Sequence, residues 1–179
     1  MLHIFICLIW HRYMRTEALN HKYVYATPMQ AGRIVEDLGD MHQRCTQSYV
    51  RRPYGVGLLI AAYDQTGPHL YVTEPSGNYY EYYAMAIGSR SQTSRTYLEK
   101  EYESFQDLSV DELVKHALKA IAASLSGDTE LDTNSVSVAV VGRDETFKVG
   151  GVYLTHSASK CLGAGAKSNP TCASCCMCM

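Results

Sequence analysis

Residues 51–63 read Arg51-Arg52-Pro53-Tyr54-Gly55-Val56-Gly57-Leu58-Leu59-Ile60-Ala61-Ala62-Tyr63, and from Gly55 onward the run is almost continuously apolar. A strand with one wet face alternates polar and apolar side chains; a run without alternation suits a strand covered on both faces. Such a strand lies inside a layered structure. The turn residues Asp64-Gln65-Thr66-Gly67-Pro68 follow it, then a predicted strand from His69 to Glu74. A second turn, Pro75-Ser76-Gly77-Asn78, leads into a predicted strand from Tyr79 to Ile87. Connections this short join antiparallel neighbours, so the three strands form a meander.

Helix signals flank this sheet. Three segments place a hydroxyl residue three positions before Glu or Gln, the pattern of a capping box: Thr27-Pro28-Met29-Gln30, Ser89-Arg90-Ser91-Gln92 and Ser109-Val110-Asp111-Glu112. The first predicts a helix over 28–38, with Pro28 at the first helical position and Gly39 as a left-handed stop. The second predicts a helix over about 90–106, with Leu98, Tyr102 and Phe105 on one face. In the third, Val110, Leu113, Val114, Ala117, Leu118, Ile121 and Leu125 recur at steps of three and four, giving one apolar stripe that ends at Gly127. Arg12 to Leu19 reads as the last turns of a further helix, and Ser135 to Val141 as a strand with Val136, Val138 and Val140 on one face. The order helix, helix, three strands, helix, helix, strand is that of an α+β sandwich.

The 179 residues, 46% hydrophobic and 19% charged, are enough for one ordinary domain with a core. Sixteen Lys and Arg against eighteen Asp and Glu leave a formal net charge of −2, and no stretch collects the cations that a nucleic-acid groove needs. The apolar run Leu2 to Trp10 is interrupted by His3 and is far short of the roughly 20 residues that cross a bilayer. It passes directly into His11, Arg12, Tyr13 and Arg15 without the cleavage region of a signal peptide. Of seven cysteines, Cys7 and Cys45 stand alone, while Cys161, Cys172, Cys175, Cys176 and Cys178 crowd the end, so the body reads as intracellular. Composition divides the chain into an atypical lead (1–11), a coherent body (12–148) and a Gly/Ala/Ser/Cys tail (149–179) expected to be disordered.

No catalytic or metal motif stands out. The histidines at 3, 11, 21, 42, 69, 116 and 156 lack the close pairing of a helical zinc site, and the tail cysteines lack a second spaced pair. Gly55-Val56-Gly57 opens a strand rather than a strand-to-helix turn, which fits close backbone packing better than phosphate binding. The hydroxyls of Gly88-Ser89-Arg90-Ser91 are accounted for by helix capping. Tyr79, Tyr80, Tyr82 and Tyr83 alternate between two faces with no interleaved cation, which suits packing or an interface rather than base stacking. Arg51-Arg52-Pro53-Tyr54 is the most basic spot; it is either a solvated corner or a salt bridge to another subunit. No Ser-His-Asp or Cys-His arrangement and no Gly-x-Ser-x-Gly elbow is recognisable.

Four motifs occur in order: Arg51 to Ile60, Gly67-Pro68-His69-Leu70-Tyr71, Pro75-Ser76-Gly77-Asn78-Tyr79 and Ala86-Ile87-Gly88-Ser89-Arg90-Ser91. Together they resemble the alpha-type subunits of the proteasome core particle. The run Ser91 to Glu99 and the helix Asp111 to Ala123 narrow the resemblance to a single type of alpha subunit. It covers about residues 12–148. It implies a four-layer αββα sandwich of the N-terminal-nucleophile hydrolase type, here incomplete, with the first strands and the last strand and helix missing.

The resemblance also implies a role. Alpha subunits form heptameric outer rings over rings of beta subunits, template assembly, gate the axial channel and receive regulatory caps, in cytoplasm and nucleus. They serve ubiquitin-dependent protein catabolism without being the proteases. The catalytic beta subunits use a processed N-terminal Thr whose own amine is the base; here the first threonine is Thr16, inside a predicted helix. The expectation is therefore a non-catalytic structural subunit with no cofactor, no metal, no nucleic acid and no membrane, and with Arg51, Arg52 and Tyr54 at a subunit contact. The alternatives are an active N-terminal-threonine peptidase of the same fold, a non-functional truncated fragment, and a small metal or redox protein built on the Cys tail. Both ends depart from the family pattern, as a truncated or mis-spliced reading frame would. The missing strands predict poor solubility of the chain alone.

Overall fold

In a computed structural model the described residues are 2–125, 136–143, 148–150 and 174–176, with side chains described over 9–125 and 136–143. The elements are α1 (Leu2–Tyr25), α2 (Ala31–Thr46), β1 (Leu58–Tyr63), β2 (Pro68–Thr73), β3 (Tyr79–Glu81), α3 (Ser91–Glu101) continued by a 3-10 segment (Tyr102–Asp107), α4 (Val110–Ser124), β4 (Val138–Val141), β5 (Lys148–Gly150) and β6 (Ser174–Cys176). The first eight helices and strands follow the predicted order. The strands form two sheets, ordered β1-β2-β3 and β5-β4-β6, so the fold is α+β. Among the described residues no helix is long and apolar enough to cross a membrane.

The chain separates into two compact units, Met1–Ile60 with Tyr71–Glu81, and Ala61–Leu70 with Tyr82–Met179. In the first, α2 buries Ala31, Val35, Leu38, Gly39, His42 and Cys45, a stripe at steps of three and four. Leu38 joins Trp10, Val56 and Leu58 in a core onto which Tyr13, Met14, Ile34, Met41, Tyr54 and Ile60 pack. β2 and β3 run antiparallel with Tyr71 opposite Glu81 and Thr73 opposite Tyr79.

Several local expectations are corrected here. Arg12 to Leu19 lies in the middle of α1, which runs on to Tyr25 and stops where Ala26 turns left-handed (φ 57°). Thr27 caps nothing. It sits in the connection, its carbonyl accepts from His21 Nδ1 at 3.2 Å, and Pro28 after it disfavours helical backbone. Gln30 occupies the N-cap of α2 instead, in extended conformation and without a side-chain bond. Gly39 does not end α2. A Cβ there would lie 2.9 Å from Tyr79 Cδ1 and 3.0 Å from the Gly77 carbonyl, so this glycine makes a notch into which the β2–β3 turn fits. Gly77 completes the fit with φ +94° and the same closeness to the Gly39 carbonyl.

The first predicted strand starts at Leu58. Only Leu58 and Leu59 are buried and the remainder is half-covered. Gly57 does allow close packing, since a Cβ would come within 3.1 Å of the Thr73 carbonyl, whereas the corresponding space at Gly55 is open. The third strand is shorter than its sequence suggests: β3 ends at Glu81 and all three of its residues are exposed.

In the second unit, the apolar stripe of α4 behaves as its periodicity predicts: Val114 and Leu118 pack with Val138 and Val140 of β4, and Val110 and Val136 close the edge. Ser109 is the N-cap of α4. The Glu112 carboxylate accepts from the Ser109 backbone N–H at 3.1 Å and from its hydroxyl at 2.9 Å. These bonds hold the Glu112 pKa below its ordinary value. The start of α3 is different. Arg90 (φ 56°), not Ser89, is the N-cap, following Gly88 with φ 114°. α3 is pinned to α4 by Ser94, whose buried hydroxyl donates to the Ala120 carbonyl at 2.6 Å, and by the Tyr97 hydroxyl 3.0 Å from His116 Nδ1. β4 pairs antiparallel with β5 and with β6, placing Val140 opposite Lys148 and Cys175. Gly127, Ser135 and most of the tail expected to be disordered lie outside the described residues.

Candidate interaction surface

The segment from Ser48 to Tyr54 connects α2 to β1, and its two ends are held in different ways. After the Gln47 C-cap, the Ser48 hydroxyl accepts from the Val50 N–H at 3.3 Å, which turns the chain outward. Tyr49 is fully exposed and Val50 is 94% exposed. Arg51, Arg52 and Pro53 are exposed as well, and neither arginine has a carboxylate partner among the described residues. Tyr54 then turns inward. Its ring lies 4.7 Å from Trp10 at 72° and 5.1 Å from His42 at 89°, edge-to-face geometries that anchor the end of the segment.

Of the three residues assigned by sequence to a subunit contact, Arg51 and Arg52 thus face water, while Tyr54 is half-buried against the core. Burial raises the Tyr54 pKa, the Cys45 thiol adds to that through a hydrogen bond, and the Arg51 guanidinium opposes it. The arginine pair is therefore presented on a loop whose base is fixed and whose tip is free of intramolecular salt bridges among the described residues.

Behind Tyr54 lies a polar anomaly. His42 is fully buried, and neither of its ring nitrogens, nor Trp10 Nε1, has a hydrogen-bond partner among the described residues. Burial pushes the imidazole pKa below its ordinary 6.5, against an upward pull from the Leu38 carbonyl. As pH falls through about 6.5 the unfolded chain takes up a proton that the folded chain refuses, so stability drops from there down to the folded pKa. Melting at about pH 7.5 and about pH 5.5 is expected to show this as a lower midpoint in acid, and His42→Phe to flatten that part of the difference. Trp10 is the sole tryptophan and lies 4.7 Å from His42, so its emission reports the same transition. An equal acid slope in both proteins would remove the role of His42.

One cluster superficially resembles a catalytic one. In the β1–β2 turn, Thr66 Oγ1 lies 2.7 Å from His69 Nε2, and that nitrogen is 3.1 Å from Asp64 Oδ1. The Thr66 hydroxyl also donates to Asp64 Oδ1, as does the Thr66 backbone N–H at 2.9 Å. A nucleophile–base–orienter relay needs the acid and the nucleophile on opposite ring nitrogens. Here both meet the same nitrogen, so the three side chains fasten the turn. Burial works to raise the Asp64 pKa, but the bonds from Thr66 and the His69 charge outweigh it and the net shift is downward. Among the described residues no group of three or more His, Cys, Asp or Glu could hold a metal ion.

The tyrosine cluster is dispersed by the fold. Tyr79 and Tyr80 are exposed on β3, and Tyr83, 82% exposed, stacks on Tyr102 with centroids 6.3 Å apart and planes 25° apart. This second exposed aromatic feature was not legible in the sequence, because it joins residues from different segments.

The described residues thus form an α+β fold that leaves Tyr49, Val50, Arg51 and Arg52 in solvent. Comparison with known proteins gives the family. The family described as "Proteasome: Proteasome subunit" matches residues 7–141. The chain is 48% identical to "Proteasome subunit alpha type-1" of Dictyostelium discoideum over 138 residues, covering 76% of this chain and 56% of that one. It is 45% identical to "Proteasome subunit alpha type-1" of Drosophila melanogaster over 141 residues, covering 77% and 50%. A third relative, "Probable proteasome subunit alpha type-6" of Schizosaccharomyces pombe, is 44% identical over 135 residues, covering 75% and 50%. The chain belongs to the proteasome subunit family. Type 1 is the alpha type to which residues 91–99 and 111–123 point, and the first two of these relatives carry that name. The chain spans about half the length of the curated relatives it matches.

Proposed function

We propose that this chain is a non-catalytic structural subunit of the proteasome core particle, taking a place in the alpha ring beside other alpha subunits and against the beta subunits. Its contribution to ubiquitin-dependent protein catabolism is then through assembly, in cytoplasm and nucleus. The observation that carries this is the family match over residues 7–141 together with relatives named alpha subunits. The same match supports the N-terminal-nucleophile hydrolase fold, whose full form is a four-layer αββα sandwich. The loop bearing Arg51 and Arg52 serves as a subunit contact, and Tyr54 holds its base.

The peptidase alternative has less support. Thr16 lies within α1 and its hydroxyl donates to the Arg12 carbonyl at 2.9 Å, a helical arrangement with no role for a terminal amine. The test is affinity capture of the tagged chain from its own cells, followed by a native gel and mass spectrometry. Recovery of other alpha and beta subunits in one large particle is the expected result. Recovery of chaperones alone would show a non-functional fragment, and a mature chain beginning with threonine would restore the peptidase.

A further inference from the structure

His42 lies on the buried face of α2, with its ring 4.7 Å from Trp10 of α1 and 5.1 Å from Tyr54 at the base of the loop. Cys45, one turn further along α2, is buried as well, and its thiol shares a hydrogen bond with the Tyr54 hydroxyl. The walls around the imidazole are unequal. Trp10 is buried in the core with Leu38, Val56 and Leu58, and α2 is held along its whole apolar stripe. Tyr54 is only half-buried, and it follows a segment, Tyr49 to Pro53, that stands in solvent. Of the ways to bring water to His42, moving Tyr54 outward therefore disturbs the least packing.

We propose that His42 and Tyr54 form a proton-operated switch: when His42 takes up a proton, Tyr54 leaves the core and releases the base of the loop, while α1 and α2 keep their packing. An imidazolium has two N–H donors to satisfy, and in the closed site neither ring nitrogen has a partner among the described residues. No charge in the site compensates it. Glu17, Asp37 and Arg44 act on Tyr13, which packs beside Trp10, and Arg51 acts on Tyr54; none of the four is among the influences on His42 itself. The Arg51 guanidinium has the same sign as the imidazolium and adds to the outward push. Burial holds the closed imidazole below its ordinary pKa of 6.5, and departure of Tyr54 returns it toward that value. The open form thus binds a proton that the closed form refuses, and its population grows as pH falls below about 6.5. From about pH 7.5 to about pH 5.5 this one proton multiplies the open population by up to about tenfold. The switch goes beyond the assignment of Arg51 and Arg52 to a subunit contact and does not depend on it.

Cys45 supplies the probe, because its buried thiol becomes reachable when Tyr54 moves away. The full chain is labelled with 4,4′-dithiodipyridine at about pH 7.5 and about pH 5.5, and the peptide containing Cys45 is followed by mass spectrometry apart from the other cysteines. Each rate is divided by that of the urea-unfolded chain at the same pH, which removes the thiol's own pH dependence. The expected result is a rise in normalised Cys45 labelling approaching tenfold in acid, with the helical circular dichroism unchanged. His42→Phe, which keeps an aromatic ring but cannot take up a proton, should show no rise, and His42→Leu repeats the comparison if the phenylalanine variant loses helical signal at about pH 7.5. Tyr54→Ala should label fast at both pH values. Labelling of the parent that ignores pH, a rise that survives loss of the imidazole, slow labelling of Tyr54→Ala, or a rise accompanied by loss of helix each overturns the inference. This assay contains no other subunit, so its failure is distinguishable from failure to recover core-particle subunits in the capture experiment.

Discussion

Replacing Trp10 by alanine is expected to lower the unfolding free energy by about 3–5 kcal/mol, the range for removing a large buried aromatic side chain. Trp10 is 3% exposed and belongs to the core of the first unit with Leu38, Val56 and Leu58. Its ring has Tyr13 at 6.3 Å, His42 at 4.7 Å and Tyr54 at 4.7 Å, so truncation deprives three aromatic neighbours of a partner as well as opening a cavity. With a whole-domain stability of only about 5–15 kcal/mol, a loss of this size removes about a fifth of it or more. Urea unfolding followed by circular dichroism measures the effect. Trp10→Phe should lose much less, because it keeps an aromatic filling and removes an indole N–H that is buried without a partner among the described residues. If the alanine variant unfolds at the parent midpoint, Trp10 is not central to this core.

The second large effect is expected at Gly39. Alanine in a helix interior ordinarily gains about 0.5–1 kcal/mol over glycine. At this position the new Cβ would meet Tyr79 Cδ1 at 2.9 Å and the Gly77 carbonyl at 3.0 Å, and a carbonyl cannot swing aside as a flexible side chain does. Overpacking of this kind costs about 1–3 kcal/mol, so the usual sign reverses. Gly39→Val places two methyl groups beyond that Cβ in the same notch and should destabilise by about 3 kcal/mol. Equilibrium unfolding of the alanine and valine variants checks the sign and the order. A stabilised Gly39→Ala would show that the turn can retreat from the helix.

The same glycine shows where sequence reading succeeds and where it stops. Ser109 and Glu112 specify the start of α4 because both partners of the cap lie within one turn, and the α4 stripe is visible because helical period is a local property. Gly39 has the composition of a helix stop, but its use is decided by Gly77 and Tyr79, which approach only in the folded chain. Thr27 presents the letters of a capping box, yet the left-handed Ala26 and the Pro28 after it commit the segment to a connection. α1 was legible only in part, because Leu19, Tyr23, Val24 and Tyr25 are exposed and blur the apolar face that would mark its length.

For the candidate surface the division is similar. Arg51 and Arg52 could be picked out as an unusual basic pair, and the structure leaves both in solvent. Tyr54 shares their motif but not their direction, since its neighbours Trp10 and His42 come from α1 and α2. The stacked Tyr83 and Tyr102 had no sequence signal, because only the fold brings those positions together.

The meeting of Gly39 and Gly77 also bears on the order in which this unit assembles. α2 can form from local contacts, whereas the notch is filled only when the β2–β3 turn returns across all the chain between, and the entropy of closing that loop must be met first. The expectation is that this contact completes after the rate-limiting step and acts as a latch on a structure already gathered. Substitutions at Gly39 should then appear chiefly as faster unfolding in denaturant-jump kinetics, with refolding rates near the parent's.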